Sequence, residues 1–350
     1  DVRHWPYVGS VATYLNEKRD RQRRQVPDNI ALPFPFSSQR EGEVPRAGPY
    51  PAWLGGAYQP HFTEFVGEAT RTFTKTLGAK QLEVREPYMG ITPDSRFTLG
   101  PAATLPADIS AERFTRRRSL LEQLDAGRRA VDAAGGPGEF DKHRELAYSL
   151  VASDRVGHAL DVRQESAPVR DRYGMTLFGQ SCLAARRLVE AGSRFVTVFW
   201  DEYGLAGSAW DTHSNHYPRM KEELCPGFDR GYAGLITDLD ERGLLDETLV
   251  LCISEHGRTP KLANVSGGGR DHWSRAYSAV LAGGGVTRGA VLGRTDKIAS
   301  DVQERPVSPK DILATSYHLL GIDPETLLSD RLGRPLALTP NGRVLSEILA

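Results

Sequence analysis

No run of apolar residues in this sequence approaches the roughly twenty that a helix needs to cross a bilayer, so no membrane span is expected. An excess of charge of either sign is missing too, since 44 Lys and Arg stand against 45 Asp and Glu for a formal net charge of -1. General nucleic-acid binding draws on a clustered basic excess and is therefore not expected; any anion must be met by local groups. Cysteine is scarce. Cys182, Cys225 and Cys252 are widely separated, fit neither a close-paired zinc knuckle nor a complete disulfide framework, and are read as buried thiols. The first residues carry no charged-then-apolar leader, and no internal repeat is found. The chain also opens at Asp1 without Met, with a helical pattern over residues 10–17 already running, so a cut start lacking the N-terminal strand is expected.

What is present is enough apolar material, 39% of 350 residues, for one large core or two modest ones. Residues 28–106 are rich in Pro, Gly and aromatics with little periodicity and read as long ordered loops. Residues 111–134 and 139–164 are polar and helical in pattern, separated by Gly135-Gly-Pro-Gly138, which predicts a helical excursion over 107–170 within a single domain spanning 1–350. The second half alternates apolar strand-like runs with amphipathic helices. That alternation predicts an α/β fold, a mostly parallel sheet covered by helices, with the helical and loop-rich insertion confined to the first half.

Met175, Phe178, Cys182, Ala185 and Val189 recur at helical spacing before Gly192, and residues 194–200 follow as a strand. Met220, Leu224, Phe228, Tyr232, Ile236 and Leu239 share a second helical face, which Pro226-Gly227 is expected to kink or split. Residues 249–253 read as a fully buried strand and 277–282 as a third strand. Ser308-Pro309 then opens a last helix that Gly321 stops.

In an open α/β sheet, reactive side chains gather where strands run out at their carboxyl ends. Three stretches carry metal-ligand residue types there: Trp210-Asp-Thr-His-Ser-Asn-His216, Ser254-Glu-His-Gly257 and Gly269-Arg-Asp-His-Trp273. A carboxylate supplies charge and an imidazole a directional nitrogen, so Asp211, His213, Glu255, His256, Asp271 and His272 are candidate ligands of divalent cations. Glu255-His256 is the sharpest pair because it follows a strand directly. Taken alone, Asp211 with His213, and Asp271 with His272, read better as polar turns than as ligands; it is their company that points to metal. His216 is left as either a ligand or a helix-start residue. Arg258 and Arg270 stand beside the clusters and are candidate binders of an anionic group. His4, His61, His143, His158 and His318 lie in loops or on helices of other character and read as structural.

The run from Leu239 to Gly257 resembles the sulfatase pattern of helix, Gly-Leu-Asp-x-Thr, buried strand and Ser-Asp-His/Asn-Gly, and Asp311 to Asp323 resembles the late sulfatase helix. Trp210-Asp-Thr-His213, Gly257-Arg-Thr-Pro260 and Gly269-Arg-Asp-His-Trp273, in that order, resemble a bacterial sulfatase-like family, domain-of-unknown-function family 1501. The likeness is strong from about Met175 onward and weak before it, through Leu54-Gly-Gly-Ala-Tyr58. It implies the alkaline-phosphatase-like α/β/α sandwich, two divalent metals, and hydrolysis of sulfate or phosphate esters of small molecules or glycans. By the same likeness Asp211, His213 and His272 serve one metal, and Glu255 and His256 the second, together with groups from the missing strand. Glu255 stands where the superfamily usually has Asp, and His256 where the family more often has an aromatic residue. Export to the periplasm or beyond is implied by the resemblance alone. Cys182-Leu-Ala-Ala-Arg186 loosely resembles the sulfatase maturation motif, but Cys182 belongs to the apolar stripe of a helix entering a strand and is rejected as a nucleophile.

Imidazole ligands favour zinc or manganese, while the sulfatase likeness allows calcium. The rival readings are a non-catalytic, metal-stabilised protein that recognises anionic glycans at the same crevice, and a phosphomutase- or phosphodiesterase-type relative. No Ser or Thr in the chain has the strand-end setting expected of the nucleophile, so the 350-residue chain by itself is expected to be inactive. Turnover of an aryl sulfate or aryl phosphate by this chain alone would contradict that expectation.

Overall fold

A short parallel sheet sits at the centre of the fold in the computed structural model, which describes residues 5–19, 26–35, 48–77, 80–99, 154–201 and 209–350. Its strands are β1 (Asn29–Leu32), β2 (His61–Phe62) and β3 (Phe195–Val198), in the order β2-β1-β3. Ile30 lies opposite both His61 and Val196. Both β1 and β2 fall in the stretch read from sequence as loops. β1 is only four residues long and buried along its whole length, so neither alternation nor length marks it as a strand.

The sheet carries a helix on each face. α1 (Val8–Arg19) lies against one, where a Cβ on Gly9 would fall 2.7 Å from the Phe195 ring, so the bare glycine lets the helix approach. On the other face Ile30 and Leu32 join the main core with Leu183, Ala184 and Leu188. Into that core also pack α2 (Asp154–Leu160) and α3 (Ala167–Tyr173), through Val156, Leu160 and Tyr173. The described end of the expected 107–170 excursion thus contributes Val156, Leu160 and Val162 to the core, while residues 107–153 lie outside the described ones.

α4 (Leu177–Glu190) occupies the expected helix, and the Thr176 hydroxyl caps it by accepting from Gly179 N–H at 3.1 Å. Further on, α5 (His216–Arg219) runs into a π-helical turn, Met220–Leu224, and then α6 (Cys225–Glu241). Pro226 therefore follows directly on the π-helical turn, in which Cys225 N–H donates to the Met220 carbonyl, and the helical run divides there without ending. Gly227, Gly231 and Gly234 line one side of α6, and a Cβ on them would fall 2.9 Å from Trp200, 2.8 Å from Phe178 and 3.1 Å from Tyr173. This bare stripe lets α6 approach α4 and the aromatic residues around it.

The expectation of a mostly parallel sheet holds only for β1–β3. β4 (Val250–Cys252) is half-buried rather than fully buried, and Ile253 beyond it is exposed. β5 (Gly257–Arg258) pairs antiparallel with β6 (His272–Trp273), and β4 pairs antiparallel with β7 (Val280–Ala282). The other pairings among the described residues are antiparallel two-stranded ribbons. The architecture is mixed α/β, with a small parallel sheet and several small antiparallel ones. α7 (Pro309–Leu319) begins with a reciprocal cap between Ser308 and Asp311, as the Ser-Pro pair predicts. Among the described residues no helix is long and apolar enough to cross a membrane. Of the cysteines Cys182 is buried, Cys252 half-buried and Cys225 exposed, so the reading of three buried thiols fails at Cys225, in the first turn of α6.

The α4–α6 contact is locked by charge. Arg186 is 1% exposed and donates to Asp238 at 2.8 Å, to Glu190 at 2.8 Å and to Glu165 at 2.9 Å. Tyr173 and Arg242 also donate to Asp238, each at 2.8 Å. Burial alone pushes the Asp238 carboxyl up, but the hydrogen bonds from Arg242 and Tyr173 and the charge of Arg186 outweigh it and hold the group below its ordinary value. Asp238→Ala leaves a buried guanidinium short of its partner and is expected to cost about 3–5 kcal/mol of unfolding free energy. Since the folded carboxyl is depressed, its contribution is complete above the unfolded value near pH ~4 and is lost as pH falls through the folded one. Urea unfolding at neutral pH and near pH ~3 should therefore show a smaller acid-induced loss in Asp238→Ala than in the parent.

Candidate metal centre

Three chain segments meet beyond β3. Trp200, just after β3, stacks on Tyr88 at 5.0 Å between ring centroids and meets the edge of Trp210 at 5.6 Å. Trp210 also rests on Phe228 of α6 at 5.9 Å, which fixes where Asp211 and the residues after it leave the core.

The segment 212–217 is then fastened to the turn 265–270 through backbone hydrogen bonds. Asn215, His216 and Tyr217 donate to the carbonyls of Ser266, Gly268 and Gly267 at 2.9, 3.0 and 3.1 Å, and Arg270 donates to Thr212 at 3.1 Å. Gly267 and Gly268 take φ of +66° and +70°, conformations that an L side chain rarely adopts. Gly269 is held for a different reason. A Cβ there would lie 2.1 Å from the His213 carbonyl oxygen, so only glycine permits this approach.

The result is a triangle of donor atoms. Asp211 Oδ1 lies 3.0 Å from His213 Nε2 and 3.0 Å from His272 Nε2, and the two nitrogens are 3.2 Å apart. A tetrahedral zinc with bonds of roughly 2.0–2.1 Å holds its ligand atoms about 3.3 Å from one another, so these three match one face of such a site. All three residues are exposed, so the fourth position of such a tetrahedral site would be reached from solvent.

The remaining predicted ligands stand around this triangle. His256 stacks on the His272 ring with centroids 4.2 Å apart, and its Nδ1 donates to the Gly257 carbonyl at 2.8 Å, so that Nε2 is the ring nitrogen turned away from the backbone. Glu255 Oε1 is 3.3 Å from that Nε2, on a side chain that is 79% exposed. Asp271 Oδ1 accepts from His213 Nδ1 at 2.9 Å, on the far side of the imidazole from the triangle. His216 does not join the donor atoms; its Nδ1 meets the Thr212 hydroxyl at 2.7 Å at the start of α5. Burial and the charges of Arg270, Arg258 and Arg219 push His216 below its ordinary value.

Both candidate anion-binding arginines have donors directed at the protein itself. Arg258 donates to Asp211 Oδ1 at 2.6 Å, to Trp210 O at 2.9 Å and to Arg270 O at 3.1 Å, and so ties β5 to the two other ligand-bearing segments. Arg270 Nη1 donates to the carbonyls of Thr259 and Pro260. Burial pushes the Asp211 carboxyl up, yet hydrogen bonds from Arg258 and His272 outweigh it and hold the group below its ordinary range, ready to bind as an anion. Thr259 was not singled out in the sequence, although its hydroxyl accepts from Asp271 N–H at 3.0 Å and its own N–H donates to Asp271 O at 2.9 Å. The Thr-Pro pair within Gly257-Arg-Thr-Pro260 was the available signal, since such a pair marks a turn whose hydroxyl can bond backbone.

The sequence model of one family, described as "Protein of unknown function (DUF1501)", matches residues 2–349. No curated protein and no solved structure matches the chain.

The glycine contact yields a direct check. Gly269→Ala pushes His213 out of register and is expected to weaken zinc binding by about tenfold or more in calorimetric titration. Gly243→Ala, at φ +67° with nothing within 4 Å of the added Cβ, is expected to cost about 1 kcal/mol of stability and leave zinc affinity unchanged.

Proposed function

The chain belongs to the DUF1501 family, and from that premise we propose that it is a metal-dependent hydrolase of sulfate or phosphate esters, sulfatase-like in kind. The observation that carries this reading is the Asp211–His213–His272 triangle, whose separations of 3.0, 3.0 and 3.2 Å suit one small divalent cation. Two nitrogens and one oxygen favour zinc or manganese over calcium, which prefers a shell of oxygens. A second cation belongs to Glu255 and His256, whose side chains stand beside the first site. The alkaline-phosphatase-like sandwich is part of the same proposal, supported by a parallel sheet with helices on both faces.

Bound there, a divalent cation would supply Lewis-acid charge to an ester oxygen. The chain's own residues do the rest. Arg258 orients the Asp211 carboxylate and offsets its charge, so that the donor set takes little from a dication and the open side of the site favours an anionic ligand. The stacked His256 and His272 rings hold their edges beside each other at the site. The exposure of the cluster suits a substrate that approaches from solvent, such as a small ester or the charged end of a glycan.

Metal analysis after zinc or manganese loading tests the reading. The parent protein is expected to retain bound metal through gel filtration, whereas His213→Ala and His272→Ala lose it. The complete protein is expected to release sulfate or phosphate from an aryl ester in a metal-dependent way. Absence of metal from the parent refutes the proposal, and tight metal binding without turnover of either ester favours the non-catalytic, glycan-recognising alternative.

A further inference from the structure

The three carboxylate and imidazole side chains around the triangle do not all face it, and Asp271 is the clearest case. Its Oδ1 is 2.9 Å from His213 Nδ1, while the edge of the same ring that carries Nε2 faces Asp211 and His272. A carboxylate oxygen accepts, so His213 Nδ1 carries a proton in this contact; Nε2 faces Asp211 Oδ1 at 3.0 Å, and it is this atom that offers a lone pair to the triangle once a cation takes the place of any proton there.

Asp271 is itself held from two sides. Its N–H donates to the Thr259 hydroxyl at 3.0 Å, and its carbonyl accepts from Thr259 N–H at 2.9 Å, across the ribbon formed by β5 and β6. The Thr259 hydroxyl in turn donates to the Lys261 carbonyl at 3.0 Å. The carboxylate thus reaches His213 from a backbone position that the hairpin determines. His256 shows the same device with a different acceptor, because its Nδ1 donates to the Gly257 carbonyl while its Nε2 faces Glu255.

We propose that Asp271 is a positioning residue rather than a metal ligand: its carboxylate fixes the Nδ1–H tautomer and the ring orientation of His213 so that Nε2 is presented to the cation. The inference rests on the metal-binding reading of the triangle and assigns Asp271 a role distinct from the one its residue type suggests in sequence. An acceptor behind a ligating imidazole raises the basicity of the ring and removes the freedom to flip, and its loss costs about 10- to 100-fold in metal affinity.

Two substitutions separate the roles. Asn in place of Asp271 keeps an amide oxygen able to accept from Nδ1–H, whereas Ala removes the acceptor. Cobalt(II) serves as the probe, because its visible absorption reports coordination number as well as occupancy. Asp271→Asn is expected to bind cobalt within a few-fold of the parent, and Asp271→Ala about 10- to 100-fold more weakly. Both are expected to keep the parent's band intensity at saturation. Nitrogen-15 spectra of the metal-free protein provide a readout that needs no cation: His213 Nδ1 is expected to carry a proton in the parent and in Asp271→Asn, and to lose it wholly or in part in Asp271→Ala.

Equal cobalt affinity in the parent and Asp271→Ala overturns the proposal. So does a loss in Asp271→Asn as large as in Asp271→Ala accompanied by a changed band intensity, which marks a direct ligand. If the parent itself takes up no cobalt, the metal reading fails, and the tautomer of the metal-free ring still decides whether Asp271 orients His213. Should Asp271→Ala not fold, the affinity, band and tautomer of Asp271→Asn against the parent settle the matter.

Discussion

The candidate centre depends on a backbone contact before it depends on any carboxylate or imidazole. The segment carrying Asp211 and His213 lies so close to the 265–270 turn that Gly269 touches the His213 carbonyl, and the hydrogen bonds on either side admit no slack. Because β6 follows that turn immediately, the same contact places His272 opposite His213. A side chain at position 269 would part the two histidines, whatever their own chemistry.

This arrangement is anchored to the core through aromatic rings. Trp200 bridges Tyr88, Phe178 and Trp210, and Trp210 leans on Phe228, so the end of the parallel sheet, the α4–α6 pair and the ligand loop share one rigid packing unit. The glycine-lined side of α6 makes room for it, since a methyl group at 227 or 231 would meet Trp200 or Phe178 at under 3 Å. Rigid support of this kind is what a preorganised site requires, because donor atoms must be held to within a few tenths of an ångström before a cation arrives. Arg186 and Asp238 secure the same helix pair further along with a network that is stable only while each member keeps its partners.

Some elements were visible in the sequence because their physics is local. The spacing of apolar residues marked α4, the Ser-Pro pair marked the start of α7, and the Asp-Thr-His, Glu-His and Arg-Asp-His stretches marked residue types that suit cations. Other elements were hidden because their signal is nonlocal. β1 is too short and too uniformly apolar to declare itself, and it becomes a strand only through β2 and β3 lying on either side of it. The half-buried state of β4 follows from its sole partner being β7 in the described structure, a pairing over which the apolar run 249–253 has no say. Pro226-Gly227 marked a kink or split of its helix, but not that the chain accommodates it by a π-helical turn ahead of the proline.

Sequence alone determined the inventory: helices where periodicity is sustained, a mixed α/β composition, balanced charge, and a set of carboxylates and imidazoles concentrated in three stretches. Tertiary structure alone decided which of them face one another. Distance and direction across segments some fifty to sixty residues apart distinguish Asp211, which shares a triangle with two histidines, from Asp271, which backs one of them. They also turn Arg258 toward Asp211 and backbone carbonyls. Residue type sets which atoms can donate or accept, but which atom faces which is a property of how the segments are brought together, and no single segment contains it.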